Sequence, residues 1–83
     1  MGKYDKLFFQ VLRGSSDKGI RFDDLRQLMK RLGFEERIRG SHHMLRKAGV
    51  IEKVNLQRDR DKAKAYQVRQ VRDIIHKYDL KVE

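Results

Sequence analysis

Cysteine is absent from the 83 residues, so neither a disulfide nor a thiolate metal site can form, and the redox compartment cannot be read. No apolar run approaches the roughly 18 residues of a membrane span, and Met1-Gly2-Lys3 lacks the apolar stretch of a signal peptide. Lys6 stands where a myristoylation signal has Ser or Thr. The expectation from these absences is a soluble, cytoplasmic domain. Enzyme signatures are scarce as well: no Gly-rich phosphate loop, paired-His helix motif or nucleophile elbow occurs. The length fits one small domain over residues 1–83. Such a chain buries only about 60–65 % of the surface its unfolded form exposes, which excludes a multi-domain enzyme with its own cofactor fold.

What the chain has in quantity is charge. Lys and Arg number 21 against 12 Asp and Glu, a formal +9 with pI near 10.2. The excess is uneven: net +4 over residues 1–34, +6 over 35–72 and −1 over 73–83. The positive field therefore belongs to the middle of the chain rather than to a detachable tail. A polyanion is the first partner to consider, and nucleic acid is the commonest one. A solubilising surface is the bland alternative. At 39 % hydrophobic, the composition supports a folded unit.

Tyr4, Leu7, Phe8, Val11 and Leu12 share one face of a helix, with Gly14 as a left-handed cap. Ser15, Ser16, Asp17 and Gly19 read as a loop. A second helix is expected from Asp23 as N-cap, striped by Leu25, Leu28, Met29 and Leu32 and stopped at Gly33. The period then changes to two. Phe34, Glu36 and Ile38 alternate with Glu35, Arg37 and Arg39, Gly40-Ser41 turns, His42 to Arg46 is a second strand, and Val50 to Leu56 a third. Gln57 to Lys64 is charged and aperiodic, hence a loop. Val68, Val71, Ile74, Ile75 and Tyr78 stripe a last helix from about Ala65 to Tyr78, with Arg69 and Arg72 off the stripe. The order α-α-β-β-β-α predicts an α+β domain: an antiparallel three-stranded sheet with helices on one face. The expected core includes Leu25, Leu28, Leu32, Phe34, Val68, Val71 and Ile75. Acidic residues, mostly beside basic ones, read as solvated faces.

Few side chains can move protons near neutral pH, and the pair His42-His43 stands out. Neighbours in a strand point to opposite faces, so the two imidazoles cannot share one ion, and neither a metal nor a cofactor is expected. One imidazole should face the helices or the sheet rim and the other solvent. An exposed His beside Arg37, Arg39 and Arg46 is suited to proton transfer next to a bound phosphate. On spacing alone, an ordinary surface histidine remains the plainer reading. His76, near a helix C-terminus, reads as structural.

From Leu25 to Ile75 the chain resembles the HicA family, ribonuclease toxins of type II toxin-antitoxin systems. The likeness is carried by a helix ending in Leu32-Gly33-Phe34, a short charged strand, and Gly40-Ser41-His42-His43 followed by Met44-Leu45. A third strand and a closing helix with Gln67-Val68-Arg69-Gln70-Val71-Arg72 complete it. The resemblance implies a double-stranded-RNA-binding-domain-like fold over a core of residues 23–78, metal-free RNA cleavage, and neutralisation by a HicB-type antitoxin. It places the catalytic histidine, the last residue of Gly-Ser-x-His, on His43. Residues 1–14 form a helix additional to the family pattern, and the 57–64 linker is more charged than the family's.

For cleavage by an internal 2′-hydroxyl, His43 is the candidate general acid or base. Arg37, Arg39, Arg46 and Lys47, nearest in sequence, are the candidate cations for the phosphate, and Ser41 could orient it. Lys62, Lys64 and Arg69 lie roughly where a double-stranded-RNA-binding fold puts its phosphate-binding lysines. The alternatives are a non-catalytic RNA-binding module and a winged-helix DNA-binding regulator. Asp23 and Asp24 at the start of the would-be recognition helix speak against the regulator.

Overall fold

The structure, a computed structural model, describes residues 2–14 and 17–83; Ser15 and Ser16 of the expected loop lie outside them. Helix α1 spans Lys3–Arg13, a 3-10 turn Asp17–Gly19 follows, and α2 spans Phe22–Arg31. Strands β1 (Glu35–Arg39), β2 (His42–Arg46) and β3 (Val54–Leu56) form an antiparallel sheet in that spatial order. Strands β4 (Arg58–Asp59) and β5 (Lys62–Ala63) make a separate hairpin, and α3 (Ala65–Tyr78) closes the chain. The protein is thus a small α+β domain with three helices and a three-stranded antiparallel sheet. No described helix is long and apolar enough to cross a membrane.

The apolar stripes meet in one core. Val11 of α1, Leu25, Leu28 and Met29 of α2, Leu45, Val54 and Leu56 of the sheet, and Val68 and Val71 of α3 are essentially solvent-free. Every residue expected in the core is buried. Gln67 is buried among them because its amide is fully engaged: Nε2 donates to the Asn55 carbonyl (2.8 Å), and Oε1 accepts from the Gln57 backbone N–H (3.3 Å). The sheet is two-sided. Leu45, Val54 and Leu56 face the helices, and the alternate positions face solvent.

Four local expectations need correction. Helix α2 begins at Phe22 with Arg21 in the N-cap position, so Asp23 lies inside the first turn. Its C-terminus is as expected in kind: Gly33, at φ +97°, donates to the Lys30 carbonyl, and Phe34 to that of Met29, a Schellman closure. Strand β3 starts at Val54 rather than Val50, and Ile51 is 85 % exposed. The segment 57–64 is a tight hairpin turned by Arg60 at φ 58°. It is fastened to the body by Phe22 N–H to the Asp61 carbonyl (2.9 Å), by Ala63 N–H to that of Ile20 (2.8 Å), and by burial of Ala63. Finally, Asp17 is not a solvated acid: Arg72, off the stripe as expected, grips it (2.7–3.3 Å) with both side chains mostly buried, tying the 3-10 turn to α3.

Candidate active site

Strand alternation sorts the two histidines as expected: His42 is exposed and His43 is only 7 % exposed, on the helix-facing side. The His43 ring meets Phe22, the first residue of α2, edge-on at 4.9 Å between centroids. Its Nδ1 lies 3.0 Å from Glu36 Oε2, although the two residues are on different strands, because β1 and β2 pair Ile38 with His43 and Glu36 with Leu45. Glu36, His43 and Leu45 thus occupy the same face.

Glu36 is not a solvated acid; its side chain is 4 % exposed. Arg26 of α2 makes this tolerable by donating through Nε (2.6 Å) and Nη2 (2.8 Å), a bidentate pair, while Lys30 one turn on stands 3.4 Å away. The Arg26 bond, opposed by burial and helped by His43, holds the Glu36 carboxyl down at about 2. Its charge in turn holds the Arg26 guanidinium well above its ordinary value. An ionised carboxylate only accepts, so Nδ1 of His43 is the protonated nitrogen facing it. Nε2 makes no hydrogen bond among the described residues, and because no fully buried side-chain nitrogen or oxygen lacks a partner there, Nε2 keeps some contact with solvent.

The constellation closes on itself. Asp23 Oδ1 accepts from Arg26 Nη1 (3.0 Å) and Arg58 Nη2 (3.3 Å), and the Arg58 guanidinium lies 4.7 Å over the Phe22 ring. The hairpin β4–β5, through Arg58, is therefore part of the site. Chemically, the arrangement is an imidazole fixed in tautomer and orientation by a buried carboxylate, with its second nitrogen available for proton transfer. Among the described residues, no group of three or more His, Asp or Glu is placed to hold a metal ion.

The cations expected beside His43 are elsewhere. Arg39 pairs in register with His42, Arg37 with Met44, and Arg46 with Glu35, which puts all three arginines on the solvent face, across the sheet from His43. Ser41 is exposed in the β1–β2 turn, and Lys47, half-buried, lies against Gly33. Lys62 is exposed on β5, Lys64 is the N-cap of α3, and Arg69 is exposed in the second turn of that helix. The side chains that meet His43 are Glu36 and Phe22, backed by Arg26 and Arg58 respectively, none of them a sequence candidate. Comparison of the chain with protein-family models, with curated proteins and with solved structures returns no match in any of the three.

Proposed function

We propose that the chain is a metal-independent endoribonuclease, a toxin of HicA type acting in the cytoplasm and neutralised by a HicB-type antitoxin. The single observation that supports it best is the Glu36–His43 pair: Nδ1 is held at 3.0 Å by a buried, ionised carboxylate and Nε2 keeps some contact with solvent. The Gly40-Ser41-His42-His43 sequence carries the family reading, and the helix-backed antiparallel sheet is compatible with a double-stranded-RNA-binding-domain-like fold.

In this reading, His43 Nε2 takes or delivers the proton as the 2′-hydroxyl attacks the adjacent phosphate. Glu36 positions the ring and stabilises the imidazolium that forms. One proton-transfer group gives roughly 10²–10⁴-fold acceleration, so the enzyme should be slow. The decisive experiment is His43→Ala, with His42→Ala as control, measured for RNA cleavage in vitro and growth arrest on induction. Loss with His43→Ala alone, at unchanged fold and RNA affinity, is the expected result. Cleavage should survive a chelator, since the two imidazoles point to opposite faces. Co-expression of a HicB-type antitoxin should restore growth. A folded His43→Ala protein that cuts at the parental rate ends the assignment, and a parent that binds RNA without cutting leaves the non-catalytic RNA-binding module.

A further inference from the structure

The two faces of the sheet differ in how their charges are used. At the site on the His43 side, Arg26, Lys30 and Arg58 are each within ion-pair distance of Glu36 or Asp23 and so already serve a carboxylate. On the solvent face, Arg37, Arg39, Arg46 and Lys53 have no carboxylate within ion-pair distance among the described residues. This includes Glu35, which stands directly across from Arg46 in register. Lys53 belongs to this face because it immediately precedes the buried Val54, which pairs with Leu45.

The four cations are also spatially organised. Arg37 and Arg39 lie two residues apart on one strand, about 7 Å along it. Arg46 stands on the middle strand, and Lys53 immediately before the third. Arg46 lines two concavities, one with Glu35, Arg37 and Met44 and one reaching Lys47 and Lys53, which Glu35 and Glu52 also line. Among the described residues no Phe, Tyr or Trp occupies the face, and its one aromatic ring is the exposed His42 opposite Arg39; its centre is the half-buried Met44, flanked by Arg37 and Asn55. A face with four unpaired cations and a single imidazole suits a phosphate backbone better than a run of unstacked bases.

We propose that this solvent face, through Arg37, Arg39, Arg46 and Lys53, binds the sugar–phosphate backbone of RNA independently of sequence, on the side of the sheet opposite His43. The choice of RNA rests on the nuclease reading, whereas the polyanion surface itself does not. Affinity and chemistry then occupy different faces. Because β1 is an edge strand, a chain held on Arg37 and Arg39 has only that edge to cross to reach His43.

The test is equilibrium binding of a fluorescein-labelled oligouridine by anisotropy, between about 50 and 200 mM salt, where polyelectrolyte binding is most informative. The full chain is compared with the fourfold variant Arg37→Gln, Arg39→Gln, Arg46→Gln, Lys53→Gln. A second fourfold variant, Lys6→Gln, Arg13→Gln, Lys18→Gln, Lys81→Gln, matches its charge change at exposed cations of α1, the 3-10 turn and the C-terminal segment, none of them a candidate RNA-binding residue. Removing one cation–phosphate interaction lowers the log–log salt slope by about 0.7 for a single strand, so the sheet variant should drop by about 3 in slope and at least tenfold in affinity. The matched variant should change much less. Equal drops in both would show that net charge, not this face, sets affinity and would overturn the proposal. So would an unchanged slope in the sheet variant, or a parent that binds no oligouridine, as expected if the face serves an acidic protein. Thermal unfolding of both variants verifies that they are folded, and the single substitution Arg46→Gln, expected to lower the slope by about 0.7, repeats the test with minimal perturbation. Because binding is read without cleavage, failure of this surface and failure of the nuclease reading are separately visible.

Discussion

Replacing Glu36 by Gln removes one negative charge and almost no volume from the centre of the site. The carboxyl titrates near 2 in the folded protein against 4.5 for the free side chain. At about 1.4 kcal/mol per unit, the difference corresponds to about 3 kcal/mol of stability, a large share of what a small domain has. The sign is set by a depressed acid: the contribution is complete above pH 4.5 and disappears as pH falls towards 2. Glu36→Gln should therefore cost about 3 kcal/mol at pH 7, since it also leaves the Arg26 guanidinium without its counter-charge. The gap between parent and variant should shrink to roughly half by pH 3. Urea unfolding followed by far-ultraviolet circular dichroism at several pH values measures both quantities, and taking the difference cancels the other titrating groups. With the side chain 4 % exposed, added salt should change the gap little. A gap below 1 kcal/mol at pH 7, or one that stays constant into acid, would show that Arg26 does not hold this carboxylate charged and would remove the basis for an oriented His43.

Two further substitutions test the packing around that site. Leu28→Ala, at a side chain with no exposure beneath the sheet, should cost about 2–5 kcal/mol and lower the melting temperature by at least about 8 °C; a shift within error would mean that the phase of α2 is wrong. Gly33→Ala should cost about 1–2 kcal/mol, mostly backbone strain at φ +97°, because the atom its Cβ would meet is the flexible Lys47 Nζ, which can move aside. Denaturant midpoints at pH 7 decide this, and an Ala variant as stable as the parent would contradict the Schellman closure.

The helices were legible because their apolar residues repeat with the helical period and the stripes are long. Their ends were less so. Asp23 is the better capping residue by type, yet α2 starts one residue before it, where the Phe22 N–H is taken by the Asp61 carbonyl of the hairpin, a partner 39 residues away in the chain and invisible to local rules. The hairpin itself was hidden by composition. Its only buried side chain is Ala63, and it is held by backbone bonds to Ile20 and Phe22, which leave no alternation to read. Val50 and Ile51 misled in the opposite direction: two β-branched residues looked like the start of a strand, but the Val50 N–H closes a turn onto the Lys47 carbonyl and Ile51 stands in solvent.

Proximity in sequence is the wrong measure of proximity at this site, and strand parity shows why. Glu36 shares parity with Phe34, whose ring is buried, so it had to point inward, whereas Arg37, one residue on, had to point outward. An inward carboxylate is tolerable only if paired, and Arg26 and Lys30, four residues apart on the helix that precedes the strand, supply two cations on one helical face. Those two facts were available from the residues alone and identify Glu36, not the neighbouring arginines, as what the helix-facing histidine would meet. Phe22 and Arg58 were beyond such reasoning, because their meeting depends on how the hairpin folds back over α2. The same parity rule binds the two functional readings together. Any register that places His43 against Glu36 necessarily puts Arg37, Arg39 and Arg46 on the far side of the sheet. If those arginines proved to touch the phosphate that His43 acts on, the β1–β2 pairing would have to slip by one residue, which would expose Leu45 and bury Met44 in its place.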